Sequence, residues 1–126
     1  MSKIQKIGLA GVAALAFAAP ALAHHSTAMF DSSKTIEVQG TVKEFQYTNP
    51  HSWLIVDVEN EDGTMTSWGF EAEGPGTLMR RQIGKNTLPV GMEVTVRGNP
   101  HVDGRPAAAW VDVTLADGTV LSPRGQ

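Results

Sequence analysis

Apolar and polar side chains alternate with a period of two along much of the chain after residue 35, which is the pattern of half-buried β-strands. The run from Ile36 to Tyr47 predicts a first strand, in which Gly40 indicates a bulge or a sharp bend. Four later runs predict further strands at residues 53–58, 64–70, 92–96 and 107–115. In the fifth strand the alternation places Ala109 and Val113 in the core and Trp110 on the outer face.

One stretch between the third and fourth strands breaks the alternation. Residues 77–83 predict a short helix that follows Pro75 and is closed by Gly84. Three strands, a short helix and two more strands form the element order of an OB-type barrel. We therefore predict an all-β fold with one short helix, namely a five-stranded OB-like β-barrel. A small antiparallel sandwich built from the same strands is the alternative.

The amino-terminal part of the chain predicts export. Lys3 and Lys6 precede a long apolar run, and residues 20–23 end in a small-x-small cleavage signal, which together describe a secretory signal peptide. We divide the chain into a signal peptide at residues 1–23, an N-terminal leader at 24–34, the OB-like barrel domain at 35–122 and a tail at 123–126. The expected location is periplasmic or secreted, with no membrane span after cleavage.

Charge and composition exclude several kinds of partner and site. The formal net charge is −3, and removal of Lys3 and Lys6 with the signal peptide makes the chain more acidic. We expect no nucleic-acid partner, because such binding depends on cationic contacts to phosphate. The chain contains no cysteine, so a disulfide framework, a thiolate metal site and a cysteine nucleophile are all excluded.

The tripeptide Asn-Pro-His occurs twice, at residues 49–51 and again at residues 99–101. Proline fixes its own φ and pushes the preceding asparagine out of the helical region, so each copy should hold its histidine at a strand entrance. In an OB barrel the loop between strands one and two and the loop between strands four and five lie on the binding side. We therefore expect His51 and His101 to meet at one site.

Histidine is the residue type that carries the chemical hypothesis. Neutral imidazole is a common ligand for copper, zinc and nickel, and a chain without cysteine has to build such a site from histidine, methionine and carboxylate. We predict a copper site whose ligands come from the two loops and from the leader, if the leader folds back. The predicted ligands are His24, His25, His51 and His101. The predicted site-lining residues are Asn49, Trp53, Met65 and Asn99.

Other interpretations of the same residues stay open. His51 and His101 could instead bond to the backbone at a strand entrance, and Met65 could be a packing residue. The competing function is a metal-free interaction or accessory module that docks on an envelope protein. A small hydrolase using Glu71 and Glu73 is a third class. No glycine-flanked nucleophile or phosphate-binding loop is present, so we expect a protein that is not an enzyme.

Several segments together resemble a known family. These are His24-His25-Ser26, Thr48-Asn49-Pro50-His51-Ser52-Trp53 and Trp68-Gly69-Phe70-Glu71. The family is one of small exported bacterial proteins of unknown function, so the resemblance implies export and supplies no activity. The predicted barrel also looks like the periplasmic copper- and silver-binding OB-fold chaperones, which hold metal with histidine, methionine and a capping tryptophan. That likeness of architecture implies His51, Trp53 and Met65 as candidates by analogy.

Overall fold

The computed structural model describes residues 29–125, so the predicted signal peptide and the leader residues 24–28 lie outside the described part of the chain. The elements follow the predicted order of three strands, one helix and two strands, with a short strand added at the end. They are β1 (Ile36–Gln46), β2 (His51–Glu59), β3 (Met65–Glu73), α1 (Pro75–Arg80), β4 (Glu93–Pro100), β5 (Ala107–Leu115) and β6 (Val120–Leu121). Among residues 29–125 no helix is long and apolar enough to cross a membrane.

The strands close into a barrel, which confirms the OB-like fold and not the sandwich. Their order in the sheet is β3-β2-β1-β4-β5-β6, and a parallel pairing of residues 69–71 of β3 with residues 107–109 of β5 closes the ring. The long strand β1 pairs with β4 through its first half and with β2 through its second half. A Cβ on Gly40 would collide with the carbonyl oxygen of Asp57, so glycine is required where β1 changes partner.

Twelve buried side chains fill the barrel. They are Val42, Leu54, Val56, Phe70, Leu78, Ile83, Leu88, Val94, Val96, Ala108, Trp110 and Val113. Leu78 comes from α1, and Ile83 follows it closely in the chain. The Tyr47 hydroxyl donates to the Ile83 carbonyl oxygen at 2.9 Å and so ties the end of β1 to the segment after the helix.

The predicted orientation of Trp110 and Ala109 is wrong. Trp110 is fully buried, whereas Ala109 lies on the outer side of β5, only half-buried. The cause is a bulge, because Arg97 of β4 pairs with Asp112 while the next residue, Gly98, pairs with Trp110. The extra residue in β5 reverses the alternation, so that Trp110 and Val113 both face the core although an odd number of positions separates them.

The second Asn-Pro-His copy does not stand at a strand entrance as predicted. His51 opens β2, but Asn99 and Pro100 are the last residues of β4, and His101 follows the strand. The bulge at Gly98 explains this difference. Past the bulge, β4 goes on pairing with β5 beyond Val96, where the regular apolar alternation of β4 ends. His51 therefore lies at the start of a strand, whereas His101 lies just after the end of one.

Candidate functional site

A pocket of about 330 Å³ lies against the outer face of the barrel. The strand register places Glu71, Ala109 and Asn99 side by side on β3, β5 and β4, so their side chains share one face of the sheet. Phe70 and Ala108, their neighbours along the chain, belong to the core. The face that carries Glu71 is therefore the outer one, which a charged side chain on a barrel ordinarily exposes to water.

The leader and the tail cover this face and turn it into a pocket. The Asp31 amide donates to the Pro100 carbonyl oxygen and the Val102 amide to the Met29 carbonyl oxygen, each at 2.8 Å, so the leader lies beside the end of β4. The ring of Phe30 is buried between these two bonds and lines the pocket. From the tail, Arg124 Nη1 donates to Asn99 Oδ1 at 2.9 Å.

The main polar feature of the pocket is a histidine–carboxylate pair. His51 Nδ1 lies 3.2 Å from Glu71 Oε1, and the Glu71 side chain is 9% exposed whereas that of His51 is 39% exposed. The pair forms because His51 stands opposite Glu73 in the β2–β3 register, so its ring reaches diagonally to Glu71. The arrangement leaves the imidazole at the mouth and the carboxylate inside.

The neighbouring groups do not satisfy the whole carboxylate of Glu71. Its Oε2 atom is buried and has no hydrogen-bond partner within the described part of the chain. Burial raises the pKa of Glu71, the nearby His51 imidazole opposes this, and the negative charge of Glu73 adds to it. A buried carboxylate oxygen without a partner is unfavourable, and such groups in native proteins call for an explanation such as a bound ion.

Two further residues with hydrogen-bond donors border the pocket, one buried in the core and one at the surface. The Nε1 atom of the fully buried Trp110 has no partner among residues 29–125. Arg124 contributes its guanidinium, which Asn99 holds against the wall. The pocket thus presents the His51–Glu71 pair and the Arg124 guanidinium, with apolar surface from Phe30, Ala109 and other residues, whereas the Trp110 indole belongs to the core.

The predicted site residues fall into three groups. His51 and Asn99 line the pocket. His24 and His25 lie outside the described residues. The remaining four lie elsewhere and line no part of the pocket; they are Asn49, Trp53, Met65 and His101.

His101 has partners of its own. Its Nδ1 atom lies 2.7 Å from Asp103 Oδ1, and its ring meets that of Phe30 edge to face with centroids 5.5 Å apart. Asn49, which precedes a cis bond to Pro50, packs near Gly74, and the Trp53 ring packs over Gly69. Within residues 29–125 no group of three or more histidine and carboxylate side chains is arranged to hold a metal ion.

Sequence reasoning missed most of the residues that build the pocket. The sequence suggests Glu71 as a site residue only in the hydrolase hypothesis, and its alternation predicts Trp110 on the outer face. Arg124 and Phe30 lie in segments without strand periodicity. The one available signal was Phe30 itself, a large apolar residue in an otherwise polar leader, which has to be buried somewhere.

Fold and site define a small OB-like β-barrel protein with a pocket closed by its two terminal segments. The chain belongs to the family described as Family of unknown function (DUF6152), whose model matches residues 12–109. This confirms the resemblance to a family without a known activity. The matched range includes His51, Glu71 and Asn99, whereas Arg124 lies beyond it. No curated protein matches the chain.

Proposed function

We propose that this protein is an exported metal-binding protein that holds copper(II) in the pocket through His51 and Glu71. The observation that carries the proposal is the pairing of His51 Nδ1 with Glu71 Oε1 at 3.2 Å, while Glu71 Oε2 is buried without a partner among residues 29–125. The pair combines an imidazole nitrogen with a carboxylate oxygen, a donor set that suits copper(II) in tetragonal geometry.

The spacing of the two donors supports this assignment. Two atoms bound to one ion at about 2.0–2.1 Å, and about 90–100° apart, are separated by roughly 2.8–3.2 Å. The His51–Glu71 pair has this separation before any ion is added. A cation would also compensate the charge of the buried carboxylate, which otherwise opposes burial.

The two side chains do not complete a copper coordination sphere, which needs about four donors. His24 and His25 are the donors that the chain itself offers, because the leader reaches the pocket at Phe30, a few residues after them. His101 is held by Asp103 and packs on Phe30, so we assign it the role of anchoring the leader.

Copper titration of purified variants tests the proposal. Binding is followed by isothermal calorimetry and by quenching of tryptophan fluorescence. We expect His51→Ala and Glu71→Gln each to weaken binding at least about 100-fold, because removal of mere outer-shell partners already costs 10–100-fold. Glu61→Gln, in the exposed turn between β2 and β3, is the matched control and should bind as the unchanged protein does.

Full-strength copper binding by the double variant His51→Ala/Glu71→Gln would contradict the proposal, provided that circular dichroism confirms its fold. A chain that binds no copper in any form would favour the competing class, a metal-free interaction module of the envelope. A partner that stays bound in the presence of a chelator would then be the next observation to seek.

A further inference from the structure

We propose that a cationic surface at the end of α1 binds the phosphate groups of an anionic phospholipid membrane. This basic patch consists of the side chains of Arg80, Arg81, Lys85 and Arg124. The proposal goes beyond the proposed function, because it needs no metal ion and uses neither of the two proposed copper ligands.

The distribution of charge along the chain is the first observation that carries the proposal. Residues 74–92 contain three of the patch cations and no aspartate or glutamate, and residues 118–126 contain the fourth cation and again no carboxylate side chain. The 13 acidic residues of the chain all lie outside these two segments. Because the whole chain has a formal net charge of −3, the local excess of positive charge does not follow from its composition.

Ion pairing separates the patch from the other cations of the protein. Each of the other basic residues among residues 29–125 has a carboxylate partner; these pairs are Lys34–Asp31, Lys43–Asp57, Arg97–Asp112 and Arg105–Asp103. Within the same residues, no patch cation lies in a salt bridge with an acidic side chain. The patch therefore produces a positive potential that its own neighbours do not cancel.

The core holds the segment that carries most of the patch in a fixed conformation. Three of its side chains are fully buried in the barrel; they are Leu78, Ile83 and Leu88. The Gly84 amide donates to the Thr87 hydroxyl oxygen at 2.8 Å, which fixes the turn that contains Lys85. The cations at positions 80, 81 and 85 are exposed, so they extend from a rigid base into solvent.

The tail brings the fourth cation to the same surface. A Cβ on Gly125 would lie 2.6 Å from Arg81 Nη1, so the Arg81 guanidinium packs directly against the tail. Arg124, the preceding residue of the tail, is exposed. Two segments that are distant in sequence therefore combine their positive charges.

The exposure of the patch favours a membrane surface over a single small anion. Arg80, Arg81 and Lys85 do not line the pocket described above, so they face solvent from an open surface. A membrane offers many phosphates in one plane, which separate cations can bind together. Met79 is 63% exposed, and its Sδ atom lies 3.7 Å from the position of a Cβ on Gly84, next to Lys85. An apolar side chain beside cations is typical of segments that enter the headgroup region.

Sedimentation with phospholipid vesicles tests the proposal. The purified protein, in buffer with a chelator, is mixed with vesicles of equal parts phosphatidylglycerol and phosphatidylcholine, or of phosphatidylcholine alone. We expect it to sediment with the first kind and not with the second. It should be released at about 1 M salt, where the Debye length is about 3 Å. Arg81→Gln/Lys85→Gln should weaken partitioning into the anionic vesicles about 30-fold, because each cation near such a surface contributes about fivefold.

The matched control is Lys34→Gln/Lys43→Gln, which removes the same charge from two exposed side chains that have carboxylate partners. It should partition as the unchanged protein does, and circular dichroism checks that both double variants are folded. A loss equal to that of the patch variant would mean that net charge governs binding, which would overturn the proposal.

Three other outcomes would also overturn it. They are equal sedimentation with both kinds of vesicle, sedimentation with neither, and anionic-vesicle binding that the patch variant retains in full. Retention of the protein on immobilised polyglutamate without vesicle binding would assign the patch to an acidic protein partner instead. Because the chelator is present throughout, none of these results depends on the proposed copper site.

Discussion

Replacement of Phe30 by alanine tests whether the leader is a fixed wall of the pocket. Phe30 is 8% exposed, and burial of a whole phenylalanine side chain contributes roughly 1.5–3 kcal/mol. The variant loses most of this contribution. Because Phe30 belongs to a terminal segment held by few backbone bonds, the loss falls on docking of the leader and not on the barrel. The equilibrium between docked and detached leader should therefore shift about 10–100-fold toward the detached form.

Amide hydrogen exchange measures this shift at two positions. The amides of Asp31 and Val102 donate the backbone bonds that join the leader to the barrel. In Phe30→Ala both should exchange about 10–100-fold faster than in the unchanged protein, whereas amides in the middle of β4 should keep their protection. Met79→Ala is the matched control, because Met79 is 63% exposed and its loss should leave both amides unaffected.

Two results would contradict this prediction. Unchanged exchange at Asp31 and Val102 would mean that Phe30 does not hold the leader. An equal acceleration at these two amides and throughout the barrel would mean that the leader unfolds only with the whole domain. In either case the pocket wall would not be an independent, releasable element.

Three further predictions concern charge and backbone. Because burial raises the pKa of Glu71 above 4.5, the folded state binds its proton more tightly than the unfolded state, and stability falls as pH rises through the folded-state pKa. Glu71→Gln should therefore stabilise the metal-free protein at neutral pH. Urea unfolding measures the increase in the free energy of unfolding that the substitution gives, and an increase at neutral pH no larger than the one below pH 4.5 would contradict this. Gly98→Ala should destabilise the protein by about 1–3 kcal/mol, because its Cβ would lie 2.7 Å from Ala108 Cβ. Gly76→Ala is the control and should be neutral or stabilising in thermal melts. Equal effects of the two substitutions would count against the close approach at the bulge. The Arg105 hydrogen bond lowers the pKa of Asp103 to about 2, so Arg105→Gln should move the Asp103 midpoint in an NMR titration up toward 3.8, and an unmoved midpoint would exclude Arg105 as the cause.

The barrel could be predicted because its determinants are local. Period-two alternation, the Asn60–Gly63 turn and the break at Pro75 define the order of the elements, and that order restricts the topology to few choices. The predicted side-chain orientation was wrong in β5, where one bulge reverses the faces of Trp110 and Ala109. A bulge depends on pairing with a distant strand, so the alternation of a single segment does not reveal it.

Only part of the site could be predicted, because the leader and the tail, which are distant in sequence from the strands, pack over them to form it. Of the residues in the repeated tripeptide, His51 and Asn99 line one pocket from β2 and β4, whereas His101 does not line it. Glu71 sits at an outward position of β3 and is buried only because the leader and the tail pack over it. Neither terminal segment has a periodicity that indicates where it docks, so the burial of Glu71 could not be derived from the sequence.

The proposed copper site lies between His51 and Glu71. The most direct measurement is a crystal structure of the protein with copper(II), in which anomalous scattering at the copper absorption edge locates the ion. The proposed site predicts one strong anomalous peak in the pocket, within about 2.0–2.2 Å of His51 Nδ1 and of a Glu71 carboxylate oxygen. A peak only beside His101 and Asp103, or a fully loaded crystal without a peak in the pocket, would contradict it.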